Sequence, residues 1–411
     1  MWRMHPAESN QFVMDHNLEN ARVQGFVHDF EYADGDASRI STYNVNPPER
    51  RDWPQPVAVF WKQDTTAEAQ LVTWSEHADF SDASTQTVPA DAASCEIYNL
   101  IPGRTYYCMV TATVSSPENG QTTKPIASCV FNTTGQMRHL KVDGTANVRD
   151  LGGWSTASGH HIRYGKIFRG GELNGGHNLE PEGIAAMRRA GIMAELDLRS
   201  DSEAKSITAS VLGNDVTYKR TPLGQTASHM NGLTNSKDTY KTALQFVLTC
   251  VNADKPVYFH CAIGRDRTGT LAFLLEGVLG MSKSDIYKDY ELTNFSYFNT
   301  PCSKGQLDEM FAMIEALEGE TVEQKFRTYL KTTFNLTDKA IDNFREKMLT
   351  TDTEDGLTEL NANEQGLRST NDEQFIYNLA GQRVNRNLTN GKQSLPRGLY
   401  IMNGRKVAVS K

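Results

Sequence analysis

No stretch of the 411 residues is apolar for the length a bilayer span needs, so no transmembrane segment is expected. The opening MWRMHPAESN also lacks the apolar core of a signal peptide, which leaves a cytosolic chain or one that begins after a removed leader. Basic charge is scarce: 42 Lys and Arg against 50 Asp and Glu set a formal net charge of -8, which argues against nucleic acid as a partner. Cysteine is scarce too. Cys95, Cys108, Cys129, Cys250, Cys261 and Cys302 include no CxxC pair and no zinc-ligand spacing, so no metal framework is expected. A disulfide among the first three stays open, although Cys108 lies in an alternating run and reads as a small buried hydrophobe. Internal repeats are absent. What the chain does have is 38% hydrophobic and 9% aromatic content, enough for burial, and a length that implies a soluble globular protein of two or three domains.

Residues 1–53 are polar, poor in periodic pattern and end in Pro47, Pro48, Arg50 and Arg51; they read as a partly extended leader segment. From 54 to 135 the texture becomes short alternating runs, VAVFWK, AQLVTW, CEIYNL, RTYYCMVTATV and SCVFNTT, broken by Pro, Gly, Ser and Asp. Alternation with frequent turn signals predicts an all-β antiparallel sandwich. From 136 to 350 strands and helices alternate. EPEGIAAMRRAG reads as a helix with Pro181 in its first turn, MAELDLRS as a strand, TYKTALQFVLTCVN as an amphipathic helix, KPVYFHC as a strand and RTGTLAFLLEGVLG as an apolar helix. This pattern predicts an α/β domain, a mostly parallel sheet flanked by helices, with any site beyond the carboxyl ends of its strands. Residues 351–371 are acidic and nearly free of large apolar side chains, as in a linker. Residues 372–411, with FIYNLAGQRV and GLYIMNGRKVAV, read as a small all-β tail module.

The stretch HCAIGRDRTG, His260 to Gly269, joins the strand KPVYFHC to the following helix. Its loop therefore meets a helix N-terminus, where free amides and the positive end of the dipole converge and bind anions. The same field lowers the pKa of a thiol, and His260 can add hydrogen bonding that holds the thiolate, which makes Cys261 a nucleophile at neutral pH. Arg267 can curl back over the loop and grip two oxygens of a tetrahedral anion. Gly264 permits the tight turn that faces the amides from Ala262, Ile263 and Arg265 onward inward. Thr268 can donate its hydroxyl to the sulfur. Together the parts describe phosphoryl transfer to cysteine followed by hydrolysis, a chemistry that needs no metal or organic cofactor.

The C-x5-R-[ST] pattern, with His before the Cys and Gly after the Thr, resembles the signature of the cysteine-dependent protein tyrosine phosphatases and their dual-specificity and lipid-phosphatase relatives. NVRDLGG (Asn147 to Gly153), IRYGKIFRGGEL, DLRSDSE and HCAIGRDRTG, in that order, resemble the bacterial tyrosine/lipid phosphatase branch. Arg265 stands where that branch usually has Lys, which keeps the charge and changes its geometry; Gly170 stands where it often has Ser. The resemblance implies a general acid inside the loop, matched by Asp266, with Asp150, Asp197 and Asp201 in reserve. DWP, Asp52 to Pro54, reverses the Trp-Pro-Asp loop of other relatives and reads as coincidence. A phosphorylated substrate is implied: phosphotyrosine or another phosphomonoester on a phosphoprotein first, inositol phosphates and phosphoinositides next. Separately, YNLIPGRTYYCMVTA resembles the strand pair of a fibronectin type III domain, through Leu100, Pro102 and Tyr106, with Trp74 in an earlier strand. The tail resembles the C-terminal module of many secreted and surface proteins of the Bacteroidetes, in Tyr377, Asn378, Leu379, Gly381, Arg383, Leu395, Pro396, Gly398, Tyr400 and Lys406.

A merely structural Cys261 would leave His260, Gly264, Arg267 and Thr268 unexplained. Arg149 and Asp150 read as structural, paired to each other or to the sheet edge. Asp197 and Arg199, at a strand's carboxyl end, read as site-lining and join His260, Ala262, Ile263, Gly264 and Arg265 as substrate-binding candidates, with Arg265 reading equally as a solvated surface cation. His160, His161 and His229 read as loop histidines, Trp74 and Tyr106 as sandwich core. A reading of another class is a surface protein that binds phosphorylated ligands without turnover; retention of the nucleophile speaks against it. The tail implies the periplasm or the cell surface, while a low-pKa thiolate is vulnerable outside a reducing compartment, which keeps the cytoplasm as the alternative.

Overall fold

The computed structural model describes residues 14–29, 52–116, 120–296, 302 and 305–350, with the backbone of further strands between 358 and 409. The chain divides into two compact units, Met1–Met348 and Leu349–Lys411.

The first unit opens with β1 (Met14–Asn17), β2 (Val57–Phe60), β3 (Ala69–Ser75), β4 (Ser84–Val88), β5 (Ser94–Ile97), β6 (Thr105–Ser116) and β7 (Gly120–Thr134). They form a five-stranded sheet in the order β1-β7-β6-β3-β4 and a separate β2-β5 pair. All pairings are antiparallel except that of β1 with β7. Alternation sets the core. In β6, Tyr106, Cys108, Val110 and Ala112 are buried and the residues between them are not. Tyr106, Cys108 and Val110 share one apolar cluster with Val72, Trp74, Cys129 and Phe131, and with Val57, Val59 and Ile97 of the β2-β5 pair.

The leader is more ordered than its texture suggested. It supplies β1 and α1 (Ala21–Val27), whose N-cap Asn20 accepts the Arg22 amide at 3.0 Å. Seven residues make about two helical turns, too few for a 3.6-residue period to stand out, and β1, four residues long, pairs in parallel with β7.

The second part of this unit is built on β8 (Arg149–Asp150), β9 (Ile167–Gly170), β10 (Ala194–Asp197), β11 (Thr217–Arg220) and β12 (Val257–His260), in the order β11-β10-β12-β9-β8. Only β8 is antiparallel to its neighbour. Around it lie α2 (Pro181–Arg189), α3 (Asp201–Ala204), α4 (His229–Asn235), α5 (Lys237–Asn252), α6 (Asp266–Leu279), α7 (Lys283–Glu291), α8 (Gly305–Glu315), α9 (Val322–Phe334) and α10 (Asp338–Met348). Every residue of β9, β10 and β12 is buried, as covering on both faces requires. α6 is buried from Arg267 to Leu279. Its Phe273 meets Phe311 of α8 and Phe326 of α9 edge-on, at 4.9 and 4.8 Å between ring centres.

In the second unit β13 (Thr358–Leu360), β14 (Ile376–Asn378), β15 (Asn387–Thr389), β16 (Lys392–Ser394), β17 (Gly398–Met402) and β18 (Arg405–Val409) form a sheet ordered β13-β18-β17-β14 and a β15-β16 pair. The acidic stretch 351–371 thus contributes a strand, β13, parallel to β18, where a plain linker was expected. Edge pairing runs through main-chain groups and needs no apolar pattern.

Candidate active site

The central strand β12 ends at His260, and residues 261–265 lead into α6 at Asp266, one residue earlier than the sequence pattern indicated. Gly264 takes φ +70°, a region L side chains avoid. A Cβ there would lie 2.3 Å from the carbonyl carbon and oxygen of Gly170, so the loop packs backbone to backbone against the end of β9. Gly170 is itself confined: a Cβ would meet the Tyr258 hydroxyl at 2.5 Å, a physical reason for glycine at that departure from the family pattern.

The loop's carbonyls are held by the surrounding structure. His260 Nδ1 donates to the Cys261 carbonyl at 3.0 Å, and the Glu172 amide to that of Ala262 at 3.0 Å. Asn147 Nδ2 donates to the carbonyls of Ile263 and Gly264, both at 3.1 Å, and Arg169 Nη2 donates to Gly264 at 3.1 Å. The amides of Ala262, Ile263, Gly264, Asp266 and Arg267 have no acceptor among the described residues. A turn with its carbonyls bound and its amides free is an anion-binding nest, here continuous with the N-terminus of α6.

Cys261 is 1% exposed. Burial alone would push its thiol up, but the Arg267 guanidinium and the hydroxyl and amide of Thr268 outweigh burial and an opposing Asp266, and hold it below the ordinary value. Thr268 Oγ1 is buried with no hydrogen-bond partner among the described residues, so its hydroxyl is available to the Cys261 thiolate whose pKa it helps lower. Arg267 is gripped in fork geometry by Glu203 of α3, Nη1 to Oε2 at 2.6 Å and Nη2 to Oε1 at 2.9 Å, and also donates to the Leu223 carbonyl at 3.1 Å. That pairing holds the Glu203 carboxyl down at about 2. Glu203 was missed from sequence although DLRSDSE contains it, because its partner lies 64 residues away.

Three expected substrate-binding residues lie elsewhere. His260 does not reach the sulfur: Nδ1 takes the Cys261 carbonyl, and Nε2 takes Glu195 Oε1 at 3.0 Å. Both nitrogens face acceptors, the pattern of an imidazolium. Burial would lower its pKa, but the Asp197 and Glu195 carboxylates raise it above the ordinary value. Asp197 and Arg199 are fully buried and bound to each other, Arg199 Nη2 to Asp197 Oδ2 at 2.7 Å. Glu172 at 2.8 Å completes Arg199 and the Tyr218 hydroxyl at 2.9 Å completes Asp197, so they brace the end of the sheet and do not line the site.

The reserve carboxylates are committed too. Asp150 accepts Arg138 at 3.1 Å and the amides of Gly152 and Gly165 at 2.9 and 2.7 Å. Its neighbour Arg149 pairs with Asp289 of α7 at 3.0 Å. Arg169 joins Asp289 as well; burial would raise that carboxyl, but the two guanidiniums drive it well below its usual range. Asp201 is exposed and paired with Arg220.

Asp266 opens α6 beside the loop. Its oxygens accept Arg265 Nε and Nη2 at 2.9 and 3.0 Å, and the Tyr290 hydroxyl lies 3.5 Å away. His229 Nε2 stands 3.8 Å from Asp266 and 2.8 Å from the Tyr290 hydroxyl. His229 is therefore no loop histidine: it starts α4, is buried, and its amide donates to Thr270 Oγ1 at 2.6 Å. Among the described residues no group of three His, Cys, Asp or Glu is placed to hold a metal ion, and no helix is long and apolar enough to cross a membrane.

Residues 140–350 match the model of the tyrosine phosphatase family. A Cupriavidus necator protein provisionally named a tyrosine-protein phosphatase is 29% identical over 181 residues, covering 39% of this chain and 64% of that relative. The chain thus spans slightly less than two thirds of its length. The triple specificity protein phosphatase PtpB of Mycobacterium tuberculosis is 26% identical over 212 residues, 41% of this chain and 73% of that protein. Among solved structures, the core catalytic domain of the S. cerevisiae PP-IP phosphatase SIW14, in complex with citrate, aligns over 36% of this chain and 86% of its own at 16% identity and a TM-score of 0.26. With the family model covering half the chain, and the loop, its cysteine and its arginine inside it, the chain belongs to the tyrosine phosphatase family.

Proposed function

We propose that the chain is a phosphatase that hydrolyses phosphomonoesters through a cysteinyl-phosphate intermediate, with phosphotyrosine as the preferred substrate class. The observation that carries this is the loop itself: free amides around a thiol of lowered pKa, with Arg267 held in place by Glu203. The Cys261 thiolate attacks phosphorus, an S–P bond forms and the P–O bond to the leaving alcohol breaks. Loop amides and Arg267 hold the three phosphoryl oxygens, and Asp266 gives its proton to the leaving oxygen. Water then attacks phosphorus, its proton passes to Asp266, and the thiolate leaves. Asp150 and Asp197 are locked in buried bonds, which favours Asp266 as the acid. In the structure Asp266 is paired with Arg265 at 2.9 Å.

The same ion pair bears on substrate choice. An Arg265 engaged by Asp266 is drawn from any second phosphate, which favours a monoester over an inositol polyphosphate or phosphoinositide. Turnover of a simple aryl phosphate by wild type and by Cys261→Ser tests the mechanism; phosphate release that survives the substitution refutes it. A panel of phosphotyrosine peptides, phosphoinositides and inositol phosphates tests the preference, and a higher kcat/KM on inositol phosphates overturns it.

The flanking parts carry a further reading. We infer that residues 54–135 are a fibronectin type III-like sandwich, supported by the Ile101 amide donating to the Tyr106 hydroxyl at 3.0 Å within the Leu100–Pro102–Tyr106 signature. The tail resemblance supports export to the periplasm or cell surface, tested by fractionating cells that express the full chain.

A further inference from the structure

Asp52 lies before the family-matched residues, in the DWP stretch that read as coincidence. It is 3% exposed, and its Oδ2 accepts the main-chain N–H of Asn147 at 3.1 Å. Asn147 sits at φ +61°, in the left-handed region that Asn tolerates better than most L residues and that the bonds to its main chain and side chain here select. Its side-chain nitrogen reaches the carbonyls of Ile263 and Gly264 and the hydroxyl of Thr293, and its side-chain oxygen takes Arg149. One carboxylate thus fixes the backbone of the residue whose amide turns two carbonyls of the loop away from the anion nest. The same leader braces the site a second time: Phe26 of α1 packs on Phe295 with ring centres 5.8 Å apart, and Lys288 of α7 donates to the Val27 carbonyl at 2.8 Å. α7 carries Asp289, which orients Arg169 on the Gly264 carbonyl, and Tyr290, which faces Asp266.

We propose that Asp52 is a positioning residue for the phosphate-binding loop, so that residues outside the family-matched region complete the site by holding Asn147 in its left-handed conformation. The proposal rests on the phosphatase reading for its kinetic consequence and on anion binding alone for its structural one. Losing a buried acceptor of this kind leaves the Asn147 N–H unpaired, and the loop amides lose preorganisation for the three oxygens.

Full-length Asp52→Ala, Asp52→Asn and Asp52→Glu are compared with wild type by tungstate titration calorimetry, by kcat and KM on an aryl phosphate, and by thermal unfolding. Asn keeps an acceptor oxygen in place without charge; Glu keeps the charge and displaces the acceptor. Tungstate affinity is expected to fall about tenfold or more in Asp52→Ala, with kcat/KM falling alongside, and Asp52→Asn should restore most of both. Unchanged tungstate binding in Asp52→Ala overturns the proposal, as does a loss of equal size in Asp52→Asn. Should Asp52→Ala fail to fold, the order decides: Asn closer to wild type than Glu supports the proposal, and Glu equal to or better than Asn overturns it. A wild type that binds tungstate but turns over no phosphate ester would refute the phosphatase reading, and the tungstate series would still decide the role of Asp52.

Discussion

Replacing Gly264 by alanine places a Cβ 2.3 Å from the carbonyl carbon and oxygen of Gly170, where ordinary contact begins near 3.4 Å. The obstacle is main chain, so it cannot rotate aside, and Gly170 is in register with His260 between buried strands. The loop must therefore retreat by about 1 Å, a misplacement that costs on the order of 100-fold when it moves groups that orient a reacting centre. The φ of +70° adds about 1–2 kcal/mol of backbone strain for any L side chain. Steady-state kcat/KM on an aryl phosphate, with thermal unfolding run beside it, reads both effects. We expect kcat/KM to fall roughly 100-fold while a cooperative unfolding transition persists at lower temperature. Activity within about threefold of wild type, under 1 kcal/mol of lost transition-state stabilisation, would refute the reasoning, because it would mean that the loop does not rest on Gly170.

Glu203→Gln leaves a neutral amide beneath Arg267; with one charge-assisted partner weakened, kcat/KM should fall about tenfold or more, and an unchanged value would show that Arg267 orients itself. Thr268→Ala removes the hydroxyl that helps hold the Cys261 thiolate, so the pH midpoint of thiolate absorbance, measured against Cys261→Ser, should rise by about one to two pH units; a midpoint that stays put would remove Thr268 from that role. The raised pKa of His260 has a signed consequence for stability. The imidazolium's contribution is fully present below 6.5 and is lost as pH rises through the higher folded value, so Glu195→Gln should lower the Tm most in mild acid and progressively less in alkali. A Tm difference that grows with pH would contradict that assignment.

Much of the architecture was legible because it is encoded at short range. Period-2 alternation in YYCMVTATV placed Tyr106, Cys108 and Val110 on one face, and they are buried there. The apolar run KPVYFHC marked a strand covered on both sides, and the turn signal after it marked the loop. α1 and β1 escaped notice for the same reason in reverse, since neither is long enough to carry a period. Asp197 and Arg199 show the limit most clearly. Their position at a strand's carboxyl end could be read from the pattern, but the direction of their side chains could not, because it depends on Glu172, Asn174 and Tyr218 arriving from other elements.

By itself the sequence determined that a cysteine, a glycine, an arginine and a threonine would share one tight turn between a buried strand and a helix, because those residues are neighbours along the chain. Only the tertiary structure decided which charged groups around that turn stay free to act. Arg267 meets Glu203 and Arg149 meets Asp289 across separations of 64 and 140 residues, and His260 is claimed by Glu195. A buried charge takes whatever partner the fold delivers to it. Asp266 was left at the rim, its partner Arg265 half-buried beside it, while Asp150 and Asp197 were drawn into the interior and spent their lone pairs on arginines and main-chain amides.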